Sequence, residues 1–319
     1  MRRYIFQRLI LTVVVVLLAA VLIFTIMYFV PGDPARIALG STATEAEVYE
    51  YRVKLGLEDP YLIQLGKFMF NAFLRLDLGT SWSRGVSVMS GLLERLPRTF
   101  ALGISCVILG LVGLPLGITA AIHRGHWQDR VCSVLSMVFI SVPDFWLALM
   151  MILLFSVRLN LLPSFGIGSI QHYIMPCIAG AIASIGTLSR QTRSSVLEVI
   201  NADFVTTARS KGLKEKAVIY KHMLPNALIP VINVIGTSFA KCVGGIIVIE
   251  QIFSIPGVGT YMNMAIGSRD YPIIRGCVVI LAIYTALLNL LVDIAYAVVD
   301  PRIKAQFTAQ AKRRKKIHA

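Results

Sequence analysis

The sequence predicts an all-α protein that crosses a membrane about six times. Only 15% of its residues are charged and 56% are hydrophobic, whereas soluble domains carry about 25% charged residues. The mean hydropathy is +0.73. The apolar residues are gathered in separate segments, several of them near the roughly 20 residues that a helix needs to span the hydrocarbon core. These observations favour a polytopic bundle of helices over a soluble fold.

Each apolar segment is bounded by polar or turn-forming residues. The first follows arginines, but it exceeds the roughly 7–15 residues of a signal-peptide core and lacks a small-residue cleavage site, which predicts a retained helix. It ends at the turn-forming run Pro31–Pro34. The fourth is short and contains Pro176, Gly180 and Gly186, which indicates a helix that is tilted or buried among its neighbours. The predicted segments cover residues 9–30, 99–122, 131–157, 173–188, 227–253 and 275–299.

Lysine and arginine residues collect in alternate loops. They precede the first segment, follow the last one and crowd residues 190–221. Since positive residues mark cytoplasmic loops, both termini are predicted to be cytoplasmic. The chain then divides into an N-terminal transmembrane helix (1–30), an extracytoplasmic segment (31–97), a transmembrane core (98–300) with a cytoplasmic loop (197–226), and a basic cytoplasmic tail (301–319). The tail is either solvated or held near anionic lipid.

The formal net charge is +14, which is typical of chains that meet nucleic acid or anionic membrane surfaces. Because the charge lies beside apolar segments, membrane lipid is the predicted partner and nucleic acid is not. The five cysteines and five histidines are scattered. No C-x-x-C spacing occurs, so neither a disulfide framework nor a metal site is predicted.

No catalytic constellation is found in the sequence. A phosphate-binding loop requires G-x-x-x-x-G-K-[ST], whose backbone N–H groups cradle phosphate. The only Gly-Lys pair, Gly66-Lys67, is followed by Phe68. The sequence therefore predicts a non-catalytic chain that binds no cofactor.

Residues 201–226 form a polar, basic stretch that is too long for a simple turn. The pattern predicts two short helices, at about 197–210 and 214–222, with Gly212 as the C-terminal cap of the first and Pro225 ending the second. Phe204, Val205 and Ala208 share one face of the first helix. Such a helix pair below a membrane bundle has apolar surface for a partner protein.

The same stretch resembles the cytoplasmic EAA loop of ABC importer permeases of the peptide and nickel branch. The resemblance rests on Asp203-Phe204-Val205-Thr206-Thr207-Ala208-Arg209-Ser210-Lys211-Gly212 and Lys221-His222-Met223-Leu224-Pro225-Asn226-Ala227. Phe204, Ser210 and Lys221 stand where that branch usually has Tyr, Ala and Arg. Further matching runs are Pro31–Pro34, Asp77–Ser81, Ser141–Trp146, Pro256–Gly259, Arg269–Pro272, Asn289–Asp293 and Asp300–Arg302.

The resemblance implies the type I ABC importer permease fold in the plasma (inner) membrane of a bacterium or archaeon. It implies a second homologous permease, two ATP-binding subunits and an extracytoplasmic substrate-binding protein as partners. The implied cargo is di- or oligopeptides, with nickel, a metal chelate or glutathione as alternatives. The residues implied to couple to the ATPase are Asp203, Phe204, Val205, Thr207, Ala208, Lys211, Gly212 and Leu213.

Polar residues inside the apolar segments are candidates for the translocation path, because an ionised group at the centre of a spanning helix costs about 2.5–3.5 kcal/mol on insertion scales. Lys241 either pairs with a carboxylate such as Asp144 or Asp293, or meets an anionic group of the substrate. Glu250 has a gating or a structural role. The remaining candidates, which serve either the path or helix–helix hydrogen bonding, are Asn233, Ser238 and Asn289.

Two other classes of protein compete with this interpretation. A secondary transporter is expected to show repeated broken helices and buried acids near the midplane, and no internal repeat is evident. A membrane-anchored scaffold or receptor subunit is the other alternative, and co-purification with an ATPase would argue against it.

Overall fold

A computed structural model describes residues 2–40 and 42–299, apart from the side chains of residues 2–4, 233, 239–245 and 295–299. Every regular element in this part of the chain is helical, and one isolated antiparallel bridge joins Thr80 to Ser87. The predicted all-α class is confirmed. The helices are α1 (Arg2–Phe29), α2 (Pro34–Leu39), α3 (Glu45–Lys54), α4 (Tyr61–Leu74), α5 (Val88–Gly110), α6 (Gly113–Ile122), α7 (Trp127–Ser141), α8 (Asp144–Met151), α9 (Gln171–Val199), α10 (Asp203–Ser210), α11 (Glu215–Ala217), α12 (Leu224–Ile252), α13 (Val258–Gly267) and α14 (Tyr271–Val299).

Five helical stretches of the described residues are long and apolar enough to cross a membrane. A sixth span results if α7 and the stretch 144–158, which meet at an angle of 98°, are counted together. Pro143 lies at this bend and precedes α8 as its N-cap residue. The prediction of about six spans is therefore confirmed, although the third span is broken rather than straight.

Contacts between distant parts of the chain define two distinct ends of the bundle. Residues 31–87, 159–170 and 253–270 meet at one end, because Gly166 N–H donates to the Phe253 carbonyl and Ser81 donates to Asp270. We call it the outer end, after the side on which the lysine and arginine distribution places it. Residues 123–126 and 200–217 lie at the opposite end, which we call the coupling end.

Helix α9 lies at the centre of the bundle and is longer than the predicted segment 173–188. Three glycines allow its close approach to neighbours. A Cβ atom on Gly113 or Gly117 of α6 would collide with the α9 backbone, and one on Gly186 of α9 would lie 2.7 Å from the Ser136 carbonyl oxygen of α7. Small residues at such contacts drive helix association in lipid. The predicted burial of this span is confirmed. Its predicted end at 188 is wrong, because Ser189, Thr192 and Ser195 are polar yet buried on the same helix.

Local hydrogen bonds cap the first two helices of the outer end, α2 and α3. Asp33 accepts a hydrogen bond from the Ala35 N–H at the start of α2, and Pro34 supplies the first helical position. Thr44 and Glu47 form a capping box at the start of α3. Helix α5 begins at Val88 and continues through Pro97. The stretch predicted to be extracytoplasmic therefore already contains the first turns of a spanning helix.

Candidate functional site

The residues at both ends of helix α10 explain where it starts and stops. It begins at Asp203 after Ala202 and ends before Gly212, whose φ of +76° is the left-handed conformation that glycine adopts without strain. The predicted C-terminal cap is thus confirmed. Arg209 reaches across this turn and donates to Glu215 at 2.8 Å, and the same hydrogen bond raises the pKa of Arg209.

A separate hydrophobic cluster holds α10 in place. This coupling cluster joins α10 to the end of α6, the end of α9 and the start of α12. Because it is distinct from the two larger clusters of the bundle, α10 has its own support at the coupling end. Its buried members are Ala121, Val196, Val205, Ala208, Val218, Ile219, Met223, Leu224 and Ala227.

The predicted coupling residues divide into two groups. Val205 is fully buried and Ala208 is 5% exposed, so the expectation that they form an exposed docking surface is wrong. Their apolar side chains complete the chain's own core instead. Tyr220, an aromatic residue of the following π-helical stretch, is also exposed at this end. The coupling residues that remain on the surface are Asp203, Phe204, Thr207, Lys211, Gly212 and Leu213.

The chain beyond α11 continues without a break into α12. Residues Val218–Met223 form a π-helical stretch, and α12 starts at Leu224 with Pro225 in its first turn. The prediction that a helix stops before Pro225 is therefore wrong. A π turn is wider than an α turn, and the proline at the helix start lacks an N–H group that this turn would otherwise have to satisfy. The coupling cluster and the π-helical stretch therefore connect α10 to a spanning helix.

Glu250 is the most thoroughly bonded of the predicted path residues. It is fully buried on α12. Its carboxylate accepts hydrogen bonds from Thr99 Oγ1 at 2.6 Å, from Gly259 N–H at 2.8 Å and from Thr260 N–H at 3.2 Å. Thr99 Oγ1 in turn accepts from Val258 N–H at 2.9 Å. This arrangement ties α5, α12 and α13 together, which supports the structural alternative for Glu250.

The other predicted path residues do not converge on one point. Asp144 is half-buried beside the bend of the third span, Ser238 is buried, and Asn289 is exposed. Asp293 forms a salt bridge with Arg8 of α1 at 3.1 Å. The side chains of Asn233 and Lys241 lie outside the described residues, so the pairing of Lys241 stays a prediction.

A second buried carboxylate fastens the outer end. Asp270 is 1% exposed. It accepts hydrogen bonds from Ser81 Oγ at 2.5 Å, Ser83 Oγ at 2.7 Å, Ser83 N–H at 3.1 Å and Trp82 N–H at 3.3 Å. Sequence reasoning included Asp270 in a matching run without giving it a role. The turn at residues 79–87, rich in serine, is the signal that could have pointed to a buried acceptor.

Several relatives resemble this chain over nearly its whole length. A peptide transport system permease protein of Brucella abortus (strain 2308) is 40% identical over 299 residues, which cover 91% of this chain and 95% of the relative. The glutathione transport system permease protein GsiC of Salmonella typhi is 37% identical over 305 residues, covering 95% of this chain and 99% of the relative.

Solved structures agree on the fold. A chain of the MetNI methionine ABC transporter in an inward-facing conformation matches with a TM-score of 0.57 at 21% identity, covering 66% of this chain and 97% of its own. A chain of an amino acid ABC transporter matches with a TM-score of 0.53 at 16% identity, covering 65% of this chain and 94% of its own. At these identities the likeness establishes the permease fold alone.

Two family models match most of the chain. Residues 1–103 match the N-terminal part of the membrane component of binding-protein-dependent transport systems, and residues 113–305 match the inner-membrane component itself. With the relatives above, this match is decisive: the chain belongs to the family of binding-protein-dependent transport system inner-membrane components, the permeases of ABC importers.

Proposed function

We propose that this chain forms half of the translocation path for di- or oligopeptides in an ATP-driven importer. The cargo is supported by the relatives named for peptide transport. The other half of the path would come from a second homologous permease. A substrate-binding protein would deliver cargo at the outer end, and two ATP-binding subunits would act at the coupling end.

The observation that carries the proposal is the construction of the coupling end. Phe204 is 45% exposed and Leu213 is 41% exposed, while their neighbours Val205 and Ala208 are buried in the coupling cluster. A short helix with a buried inner face and an exposed aromatic residue on its outer face is suited to transmit force from a bound protein. Because the π-helical stretch leads directly into α12, that force would reach the membrane span.

The mechanism follows from differential affinity. A pair of ATP-binding subunits that holds α10 and its counterpart in the second permease closer together after binding ATP favours one arrangement of the spans over another. It can shift the equilibrium only by the difference in its affinity for the two arrangements. The outer end would then open to the binding protein in one state and close in the other.

The test compares two neighbouring residues on α10. Phe204→Ala should weaken association with the ATP-binding subunits by about 30-fold, since an exposed aromatic anchor contributes about 2 kcal/mol to an interface. It should leave the stability of the chain unchanged. Val205→Ala should instead lower stability by about 1.5 kcal/mol, because it removes two buried methyl groups.

The matched control is Tyr49→Ala, because Tyr49 is an aromatic residue 61% exposed at the outer end. Association is measured by pull-down of the tagged permease from membranes, with ATPase activity followed in the eluate. Equal retention of ATP-binding subunits by the Phe204 and Tyr49 variants would show that α10 is not the docking site. A permease recovered alone, with uptake driven by an ion gradient, would favour a secondary transporter instead.

Glutathione is a second candidate cargo, because the relative from Salmonella typhi is named for its transport. Uptake of a labelled dipeptide, labelled glutathione and labelled nickel in cells lacking this chain distinguishes the cargoes. Loss of dipeptide uptake alone supports the proposal. Loss of glutathione or nickel uptake, with dipeptide uptake intact, replaces it.

A further inference from the structure

Arg275 lies in the second turn of α14, near the outer end, and is surrounded by aromatic rings. Its guanidinium carbon lies 5.0 Å from the ring centre of Phe24, 5.6 Å from that of Phe68 and 5.7 Å from that of Trp82. Its Nε atom is buried and has no hydrogen-bond partner among the described residues. Aromatic faces attract a cation but accept no strong hydrogen bond, so this donor is left unsatisfied.

Tyr271 lies one turn earlier on the same helix. Its side chain is only 5% exposed. Its hydroxyl group is buried and, within the part of the chain that the structure describes, has no hydrogen-bond partner either. Buried polar groups are nearly always paired, and an exception requires an explanation.

Both residues line one cavity. It has a volume of about 320 Å³ and is bounded by α1, the turn after it, α4 and the start of α14. A neighbouring cavity of about 570 Å³ shares Arg275 as part of its wall. The space is therefore large enough for a polar group that neither residue finds within the protein.

The charges around the cavity favour an anion. Asp33, the carboxylate in its lining, already accepts from Ala35 N–H at 3.0 Å and lies 3.9 Å from Arg52. Arg52 also bonds to Glu58 at 3.0 Å. Arg52 therefore lies between two carboxylates, whereas Arg275 Nε and the Tyr271 hydroxyl group are donors with no hydrogen-bonded acceptor among the described residues. An oxygen-rich anion would accept from both, and a guanidinium group binds phosphate especially well.

The cavity lies beside an exposed apolar helix face. Its wall includes Phe24 and Tyr28 of α1. The outward face of that helix is apolar and open: Leu22 is 60%, Ile26 is 47% and Phe29 is 73% exposed. Tyrosine is typical of the membrane–water boundary, where its ring is in hydrocarbon and its hydroxyl group is near water. The cavity thus adjoins the exposed apolar face of α1 near the outer end of that helix.

We propose that the cavity between α1, α4 and α14 binds the phosphate group of a phospholipid from the leaflet at the outer end. Arg275 and Tyr271 donate to the phosphate oxygens, and the acyl chains lie along the exposed face of α1. The lipid would link the first helix and the segment 31–74 to the last spanning helix.

The test uses the purified transporter complex, stripped of lipid in detergent and titrated with phosphatidylglycerol, with bound lipids counted by native mass spectrometry. Arg275→Gln should weaken the tightest lipid site by about 10- to 100-fold, as expected for a lost hydrogen bond to a charged group. Tyr271→Phe should weaken it by about 2- to 10-fold. Because the phenylalanine ring keeps the packing, this variant remains informative if Arg275→Gln does not fold.

Arg95→Gln is the matched control. Arg95 also lies over a ring, 4.3 Å from the centre of Tyr261, but its guanidinium group donates to the Gly91 carbonyl at 2.8 Å. This variant should bind phosphatidylglycerol as the unaltered chain does. Dioleoylglycerol, which has no phosphate, should not occupy the site.

Three outcomes overturn the proposal. One is equal lipid binding by the Arg275 and Arg95 variants. Another is displacement of the lipid by millimolar inorganic phosphate, which would identify a site for a free anion. The last is unchanged lipid binding by Arg275→Gln together with a raised half-saturation concentration for dipeptide uptake, which would assign Arg275 to a substrate carboxylate.

Discussion

Replacing Glu250 tests whether a buried carboxylate fastens the outer end of the bundle. Its two oxygens accept hydrogen bonds from Thr99 Oγ1, Gly259 N–H and Thr260 N–H. The side chain is fully buried, so water has no access to these donors. The carboxylate also lies directly against Gly257, where a Cβ atom would collide with it. The site therefore has little room to rearrange.

Glu250→Ala should lower the free energy of unfolding more than Glu250→Gln does. Alanine leaves three donors without an acceptor, and each unsatisfied group costs about 1–3 kcal/mol. Partial relaxation reduces the sum, so we expect a loss of about 3–5 kcal/mol. Glutamine keeps the shape and one acceptor oxygen that can serve the two N–H groups. It loses the charge and reverses one donor–acceptor pair at Thr99, which predicts a loss of about 1–2 kcal/mol.

The assay is unfolding by sodium dodecyl sulfate in mixed micelles, followed by circular dichroism of the helices. Glu94→Gln is the control, because the Glu94 side chain is 66% exposed beside Arg95 and Arg98. Exposed ion pairs contribute about 0–1 kcal/mol, so the control should unfold almost as the unaltered chain does. Equal stability of the Glu250→Ala variant and the control would refute the structural role of this carboxylate.

Three further substitutions test other contacts by the same assay unless stated. Asp270→Ala should release the turn at residues 81–83 from its hydrogen bonds. The expected result is faster amide hydrogen exchange in that turn and unchanged exchange elsewhere, and unchanged exchange in the turn would contradict the prediction. Gly117→Ala should cost about 1–3 kcal/mol by overpacking α6 against α9, whereas a neutral result would mean that the two backbones separate easily. Arg193→Met should cost about 3–5 kcal/mol, because Asp129, bonded by the guanidinium at 2.6 Å and 2.9 Å, is left buried and unpaired. Combining it with Asp129→Asn should restore part of the loss, and a double variant as unstable as the single one would contradict the pairing.

The apolar segments predicted the spans because membrane insertion depends on the mean hydropathy of a whole segment and not on individual contacts. They located the end of α1 within one residue and the start of α14 within four, but placed the start of α1 seven residues late. They underestimated α9, since its second half packs polar side chains such as Thr192 inside the bundle. A polar residue predicts exposure only when no neighbouring helix covers it, and that information is not local.

The coupling end shows the same limit in another form. The pattern placed Val205 and Ala208 on the apolar face of α10 and Gly212 at its end, and both features are present. It did not reveal which apolar residues face the bundle and which face outward. Val205 is buried because it packs in one cluster with the ends of α6 and α9. The α6 part of this cluster is distant in the sequence, so a local pattern does not reveal this contact. For the same reason, Asp270 and Arg275 received no role from sequence alone.

The close backbone contacts of α9 constrain where a solute can travel. Glycines fit α9 tightly against α6 and α7, and a Cβ atom on Gly180 would lie 2.7 Å from Cys106 Sγ on α5. No peptide passes through gaps that exclude a methyl group. A route for cargo must therefore run along the outside of this tightly packed group of helices. Under the proposed function, a surface of that kind becomes a closed channel when the second permease supplies the opposite wall.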